Sequence, residues 1–526
     1  MTKQSAEAIV AAGGAPLLEI SVGDQLRRQA SAHAERPALT WARDGDPGLI
    51  VTLTYHRLLL AAEATAARIL QMASHGDRVA VWTANSPQAV IVEYASALAG
   101  TVLAPFNPAW TDEETEHALS LVAPRILFVA SDVRGTDLRG RARNLADAHA
   151  CAVIDMADVP TEPSGPAEFD APEVAAADAF LIQFTSGTTG RAKGATLSHR
   201  AALNAGHIRA CTVGADASDV WLNPIPLCHV GGSVVILLAA MATGGNYVVM
   251  PRFDPVGQYA MMRATGATRT GGVPTMFHAL LNTPGGEELL GRVRSIGLGG
   301  TNVPPSLVAR LQELGATVSA AFAQSECPMI TQSDPAGDAA HVCTTAGVVV
   351  PHTELRILDR YGTVLGSGEV GEVCVRSPLV MDGYWQMPEA TAEVIDAEGL
   401  LHTGDLGSLD AAGVLRIHGR VREVIIRGGE NVYPSEVENV LHKHPGVDAV
   451  AVLGVPDQRW GQEVAAVVKT ATTPPPSVTD LIEHARRSVS HFKVPRHWRF
   501  VDDMPLTSSG KIRKNDLSAL FAGHDS

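Results

Sequence analysis

With 526 residues, 46% of them hydrophobic and 18% charged, the chain has a globular balance but is too long for one compact core. A large domain plus at least one more is expected. A formal charge of −15 excludes a general nucleic-acid binder, which needs a basic footprint.

Taken from the N-terminus, residues 1–14 carry Lys3 against Glu7 and no apolar core, so no signal peptide is read there. Val51–Tyr55 alternates and is β-rich, and His56–Met72 carries leucines and alanines at helical spacing. Arg78–Trp82, Val102–Phe106 and Arg125–Ala130 read as strands, with a helix at Gln88–Leu98. Strand–helix–strand repetition with short links predicts a mostly parallel, doubly wound sheet. Asp158–Ala177, rich in Pro, Ala and acid, reads as a loop, and Glu369–Ser377 and Val414–Ile417 as strands of a β-rich subdomain. The longest apolar run, Val234–Ala242, is too short to cross a bilayer. A boundary is drawn at Gly419-Arg420, giving a large domain at 1–419 and a small α+β domain at 420–526. In the latter, Ser435–Lys443 and Thr479–Val489 read as helices, Val450–Val455 and Val464–Thr470 as strands, and Pro474-Pro475-Pro476 as a rigid link. From Arg420 onward 14 Lys+Arg face 13 Asp+Glu, and the rest carries 27 against 43. The C-terminal part is thus the less repulsive surface for a polyphosphate.

Cys151, Cys211, Cys228, Cys327, Cys343 and Cys374 show no CxxC and no zinc-ligand spacing. They read as buried thiols of a reducing compartment, and a cytoplasmic protein without a transmembrane segment is expected.

The chemistry is concentrated at 184–194, Phe-Thr-Ser-Gly-Thr-Thr-Gly-Arg-Ala-Lys-Gly. Glycines let backbone N–H groups approach an anion, hydroxyls add donors and the lysine adds charge, a combination that binds phosphate. The spacing is not that of a P-loop. Counted from Gly187, the second glycine position falls on Ala192, and Lys193 is followed by Gly194.

Downstream, 322–326 read Phe-Ala-Gln-Ser-Glu, 403–405 Thr-Gly-Asp, 419–438 Gly-Arg-Val-Arg-Glu through Ser-Glu-Val-Glu, and 505–513 Pro-Leu-Thr-Ser-Ser-Gly-Lys-Ile-Arg. In this order and at these separations, from about residue 20 to about 515, the chain resembles the acyl-adenylate-forming superfamily of acyl-CoA synthetases, adenylation domains and firefly luciferase. The branch indicated is that of acyl-CoA synthetases and fatty-acid–CoA ligases. The resemblance implies a small C-terminal domain that moves between two half-reactions by rotating about a hinge at Arg422.

The resemblance also implies the site. Thr185, Ser186, Gly187, Thr188, Thr189, Gly190 and Lys193 would cover the ATP phosphates; the family has proline where this chain has Ala192. Phe322 would stack on adenine, with Gly299, Gly300 and Thr301 on its other face. Ser325 would donate to the α-phosphate and Glu326 would hold Mg²⁺. Ala323 stands where the family has glycine, which would disfavour a positive φ there. Asp405 would grip the ribose with Arg420, and Lys511 would bridge the carboxylate and α-phosphate during adenylation. His229, Gly232 and Val273 would border the acyl pocket, together with a helix at Gly232–Ala240. Gly428 and Gly429 would line the tunnel for the pantetheine arm of coenzyme A. Cys327 is read as pocket wall rather than nucleophile.

The activity implied is an ATP-dependent acid–CoA ligase that forms acyl-AMP and then an acyl-CoA thioester, with ATP, Mg²⁺, coenzyme A and a fatty, aryl or alicyclic acid. Two alternatives stay open. One is a stand-alone adenylation enzyme that loads a carrier protein, and the other a non-catalytic nucleotide sensor. Assembly as a homodimer is also left open.

Overall fold

The computed structural model describes residues 9–10, 14–133, 135–163, 165, 170–185, 191–299, 303–472, 474–505 and 512–521. Its contacts divide the chain into two compact units. The larger comprises 9–354 and 375–401, and the smaller 355–374 with the described residues from 402 onward.

The larger unit holds two sheets, as the strand–helix alternation predicts. One is seven-stranded, in the order Gly383–Tyr384, Lys193–Ser198, Ala179–Thr185, Val102–Phe106, Arg78–Trp82, Ile126–Val129, Ala152–Asp155. From Ala179–Thr185 onward the neighbours are parallel; the first two strands are antiparallel additions. Val79, Ala80, Val81 and Trp82 are buried on both faces, as central strands of a parallel sheet require. In the second sheet Cys327–Gln332, Thr317–Gln324, Ser295–Leu298, Arg269–Gly272, Val220–Asn223, Asn246–Val249, Pro37–Ala42 and Ile50–Thr54 follow one another.

Helices fill both faces. Pro87–Ala99 starts on a Ser86 cap that accepts from the Ala89 N–H, has Pro87 in its first turn, and stops at Gly100 with φ +66°. It is buried from Ala89 to Ala99. Each of Val90, Ile91, Val92 and Leu98 contributes roughly 1.5–3 kcal/mol by leaving water. His199–Thr212 packs against Ala179–Thr185 and Lys193–Ser198 of the first sheet and Cys327–Gln332 of the second, so it runs between the two.

In the smaller unit Glu354–Leu358, Gly371–Arg376, Leu401–Leu409 and Val414–Arg420 adjoin in that order, the first three running one or two residues past the unit's bounds. A second sheet orders Glu430–Val432, Ile425–Arg427, Gly461–Thr470 and Val447–Asp457, with His497–Val501 parallel to Gly461–Thr470. Helices Pro434–Leu441 and Val478–Arg486 cover it through Val437, Leu441, Leu481 and Ala485. Inside this sheet Arg427 and Glu463 form a buried, two-pronged ion pair with Nη2–Oε2 at 2.8 Å.

The expectation of uniformly buried cysteines is corrected. Cys228, Cys327 and Cys374 are buried, Cys151 and Cys343 are half-buried, and Cys211 is exposed on the helix His199–Thr212. Cysteine burial follows which face of an element meets the core, and composition does not carry that information. Among the described residues no helix is long and apolar enough to cross a membrane.

His199, first residue of the helix between the sheets, is fully buried against Phe180 and accepts the Val22 N–H through Nδ1 at 3.2 Å. Burial lowers its pKa to about 4, against the opposing pull of Asp178 and Asp24; His75 adds to the lowering. The folded state therefore prefers the neutral ring. Stability should be complete above about pH 6.5 and be lost as pH falls toward 4, by up to roughly 3 kcal/mol. Denaturant unfolding of wild type and His199→Gln at pH 7.5 and 5 checks this: the loss on acidification should shrink in the variant.

Candidate active site

Strands Ala179–Thr185 and Lys193–Ser198 are antiparallel, with Thr185 opposite Lys193. Their joined ends bring the flanks of the glycine-rich segment to one sheet edge; Ser186, Gly187, Thr188, Thr189 and Gly190 lie outside the described residues. Ala192, in place of the family's proline, has its carbonyl held by His117 Nε2 at 2.9 Å. On the other side of Lys193–Ser198, Gly383 pairs with Thr196 and Tyr384 with Ala195, and the Trp385 N–H donates to Gly194 O at 2.7 Å. This fixes Tyr384 beside Lys193, whose Nζ lies 4.8 Å from the phenol ring centroid. The Tyr384 hydroxyl donates to Glu326 Oε1 at 2.7 Å. Burial and the Glu326 charge push the phenol's pKa up, so it stays a donor.

Glu326 and Ser325 form the two-residue turn between Thr317–Gln324 and Cys327–Gln332, whose flanking residues Gln324 and Cys327 pair. Phe322, three residues before the turn, is half-buried opposite Thr331. Ala323 is exposed, in a strand and without a positive φ, so alanine costs nothing at this position. Gly299 follows the neighbouring parallel strand Ser295–Leu298; Gly300 and Thr301 lie outside the described residues. Cys327 is buried with Sγ 3.4 Å from Met329 O, and burial raises its pKa to about 12. It has no thiolate character.

The loop carrying His229 is held by three amide side chains that the sequence motifs do not include. Asn85 donates to Ile225 O at 2.9 Å and accepts the Leu227 N–H at 2.7 Å. Asn223 accepts the Ile225 N–H at 2.8 Å, and Gln183 donates to Cys228 O. Gln183 and Asn223 come from different sheets, so the loop is clamped between them. The predicted helix at Gly232–Ala240 is a π-helix at Gly231–Leu238 followed by an α-helix at Ala239–Thr243, a widened form concentrated at functional sites. A Cβ on Gly232 would stand 2.4 Å from Pro226 O, so only glycine fits. Val273 caps the helix Pro274–Leu281.

In the smaller unit Asp405 and Arg420 sit opposite each other on adjacent antiparallel strands, Oδ1 3.4 Å from Nε. Gly404, with φ +71°, lets the chain turn into Asp405. Its N–H donates to Glu372 Oε1 at 3.0 Å, and Glu372 Oε2 lies 2.9 Å from His402 Nδ1. Glu372, Cys374 and His402 are, among the described residues, the one group whose ligand atoms all lie within 4.8 Å of one another. Their mutual hydrogen bonds make them a support for the Thr403-Gly404-Asp405 stretch of the strand Leu401–Leu409. The signal was present in Gly-Glu-Val-Cys-Val: a glutamate inside an apolar strand calls for a partner.

Arg422 is exposed in the short helix Val421–Glu423. Gly428 and Gly429 are exposed with φ +59° and +89°, and the Gly428 N–H donates to Trp460 O at 2.8 Å. Lys511 lies outside the described residues. Lys514, three positions on, bridges Glu438 at 2.8 Å and Glu423 at 3.0 Å.

The sequence profile of AMP-binding enzymes matches residues 26–385, and that of the AMP-binding enzyme C-terminal domain matches 436–511. The 3-[(3aS,4S,7aS)-7a-methyl-1,5-dioxo-octahydro-1H-inden-4-yl]propanoyl:CoA ligase of Rhodococcus jostii (strain RHA1) is 33% identical over 515 residues, covering 94% of this chain and 97% of the relative. The ligase of the same name from Mycobacterium tuberculosis is 36% identical over 476 residues, covering 87% and 91%. Among solved structures, ATP-bound MatB from Rhodopseudomonas palustris superposes with a TM-score of 0.86 at 28% identity, covering 95% of this chain and 99% of that one. The chain belongs to the AMP-binding enzyme family, in its branch of AMP-forming acyl-CoA synthetases, as the ordered motifs imply.

Gly232→Ala should displace the Pro226–His229 loop, because the blocking atom is backbone and cannot swing aside. Expected are a lower melting temperature, corresponding to about 1–3 kcal/mol, and a raised KM for the acid, read by thermal denaturation and pyrophosphate release. An unchanged melting temperature and KM would contradict the tight approach.

Proposed function

We propose that the enzyme activates a carboxylic acid with ATP and transfers the acyl group to coenzyme A. A carboxylate oxygen attacks the α-phosphorus and pyrophosphate leaves; the CoA thiol then attacks the acyl carbon, and AMP leaves with the bonding pair. The observation that carries this reading is the Lys193–Tyr384–Glu326 alignment, an ammonium and a carboxylate held by one phenol where the phosphate-binding and nucleotide motifs meet. The relatives' CoA-ligase activities support the thiol acceptor over a carrier protein.

Glu326 supplies a half-buried carboxylate whose Oε1 is oriented by Tyr384, a hard oxygen donor that suits Mg²⁺. The ion's chemistry, when bound, is to offset charge on the phosphates. Lys193 and the hydroxyls of Thr185 to Thr189 would hold the terminal phosphates, Ser325 the α-phosphate, and Phe322 with Gly299 to Thr301 the adenine. Asp405 would accept from the ribose hydroxyls, aimed by Arg420. Lys511 would neutralise the carboxylate and α-phosphate as the new bond forms. Arg422 would act as hinge, with Gly428 and Gly429 meeting the pantetheine arm in the second half-reaction.

His229, Gly232 and Val273 would border the acid. The bicyclic dioxo acid named in two relatives supports a bulky alicyclic or aryl acid over a short one. A soluble, cytoplasmic enzyme follows from the same reading.

Pyrophosphate release across an acid panel, with and without CoA, tests the function. CoA-dependent AMP release is expected, and acid-dependent pyrophosphate release that ignores CoA would favour a carrier-protein acceptor. Lys511→Ala should abolish adenylation yet leave thioesterification of supplied acyl-AMP largely intact, and equal loss of both would contradict its role. Asp405→Ala should weaken ATP about 10- to 100-fold, the cost of hydrogen bonds to a charged group; unchanged ATP affinity in a titration would rule out ribose contact.

A further inference from the structure

Arg209 is a charged side chain enclosed by the fold. It lies on the helix His199–Thr212 and is 7% exposed. Its Nη1 donates to Ser319 Oγ at 3.1 Å and Gln332 Oε1 at 2.6 Å, both neutral. Among the described residues no carboxylate pairs with it. Burial, and then the neighbouring Arg269, lower its pKa to about 10, which still leaves it a cation at neutral pH. Gln332, 2% exposed, has its Nε2 without a hydrogen-bond partner. A buried cation and a buried amide donor with unused capacity are costly in a folded protein unless something accepts from them.

Three strands carry small residues beneath this pair. Gly271, Gly297 and Ser319 are in register across Arg269–Gly272, Ser295–Leu298 and Thr317–Gln324, and so share one face of the sheet. A Cβ on Gly271 would stand 3.4 Å from Ile236 Cδ1 of the π-helix, and one on Gly297 2.7 Å from Arg209 Nη2. The row therefore lies under the π-helix that opens at Gly231-Gly232 and under the guanidinium. Two residues on along the same face are Gly299 and Ala321. A Cβ on Gly299 would meet nothing nearer than Ala321 O at 3.8 Å. A floor without bulky side chains thus runs from the nucleotide motifs to Arg209 and Gln332.

We propose that Arg209 and Gln332 form the specificity-determining far end of the acyl site. The acid would carry an oxygen acceptor, a ring ketone or a second carboxylate, remote from the carboxylate that is activated. This rests on the acid-activation reading above and names the chemical class of that acid.

The test measures kcat/KM for pyrophosphate release with three matched acids: 3-cyclohexylpropanoate, 3-(4-oxocyclohexyl)propanoate and 3-(4-carboxycyclohexyl)propanoate. Wild type should favour one oxygen-bearing acid over the cyclohexyl acid by about 10-fold or more, and which one distinguishes ketone from carboxylate. In Arg209→Met the ratio should fall toward one, and Arg209→Lys should keep part of it. A ratio cancels differences in the amount of folded enzyme, so a purely structural Arg209 would leave it unmoved. Failure of both oxygen-bearing acids to outrun the cyclohexyl acid in wild type overturns the proposal without any variant. So does a ratio that survives Arg209→Met. The CoA dependence of AMP release is scored separately, so a wrong acceptor and a wrong acid class give different results.

Discussion

A phenol hydroxyl ties the two sheets of the larger unit together beside the end of the glycine-rich segment. Tyr384 extends the edge of the seven-stranded sheet, and Glu326 occupies a turn of the other. Their hydrogen bond fixes how the two strand ends face each other, and the ring spans the gap to Lys193. A lysine and a glutamate left to themselves would close into an ion pair, satisfying each other and turning away from a ligand. The phenol interposes an aromatic face toward the ammonium and a hydroxyl toward the carboxylate, so both charges are oriented without being consumed.

The same division of labour recurs at the loop that carries His229. Asn85, Gln183 and Asn223 are buried amides whose hydrogen bonds go to the backbone of the Ile225–Cys228 loop. The loop cannot form regular structure, and its backbone groups still need partners. Amides supply donor and acceptor together and bring no charge of their own into the buried loop. The π-helix begins directly beyond, and the close contact of Gly232 with Pro226 sets where it starts.

Much of the architecture was legible in the sequence. Arg78–Trp82, Val102–Phe106 and Ile126–Val129 are strands because apolar β-formers run unbroken there, and Pro434 and Ser435 with the acidic residues after them marked the start of the helix at 434–441. The nucleotide motifs could be read because each is local. What escaped was long-range. Tyr384 lies 58 positions from the glutamate it holds, and nothing in Gly-Tyr-Trp announces the partner. Arg209 likewise reads as one more basic residue on a helix; only the strands beneath it reveal that it is enclosed. The π-helix was invisible to an apolar run because widening by one residue depends on what presses against it.

The contact between Gly428 and Trp460 has an optical consequence. The indole carries a guanidinium 4.8 Å from its ring in each of Arg427 and Arg459, and a Cβ at Gly428 would fall 2.5 Å from Trp460 Cε3. Indole emission shifts with the polarity around the ring. A displacement of the glycine pair must therefore change the colour of this tryptophan, and the smaller unit carries a fluorophore seated against its own glycine turn.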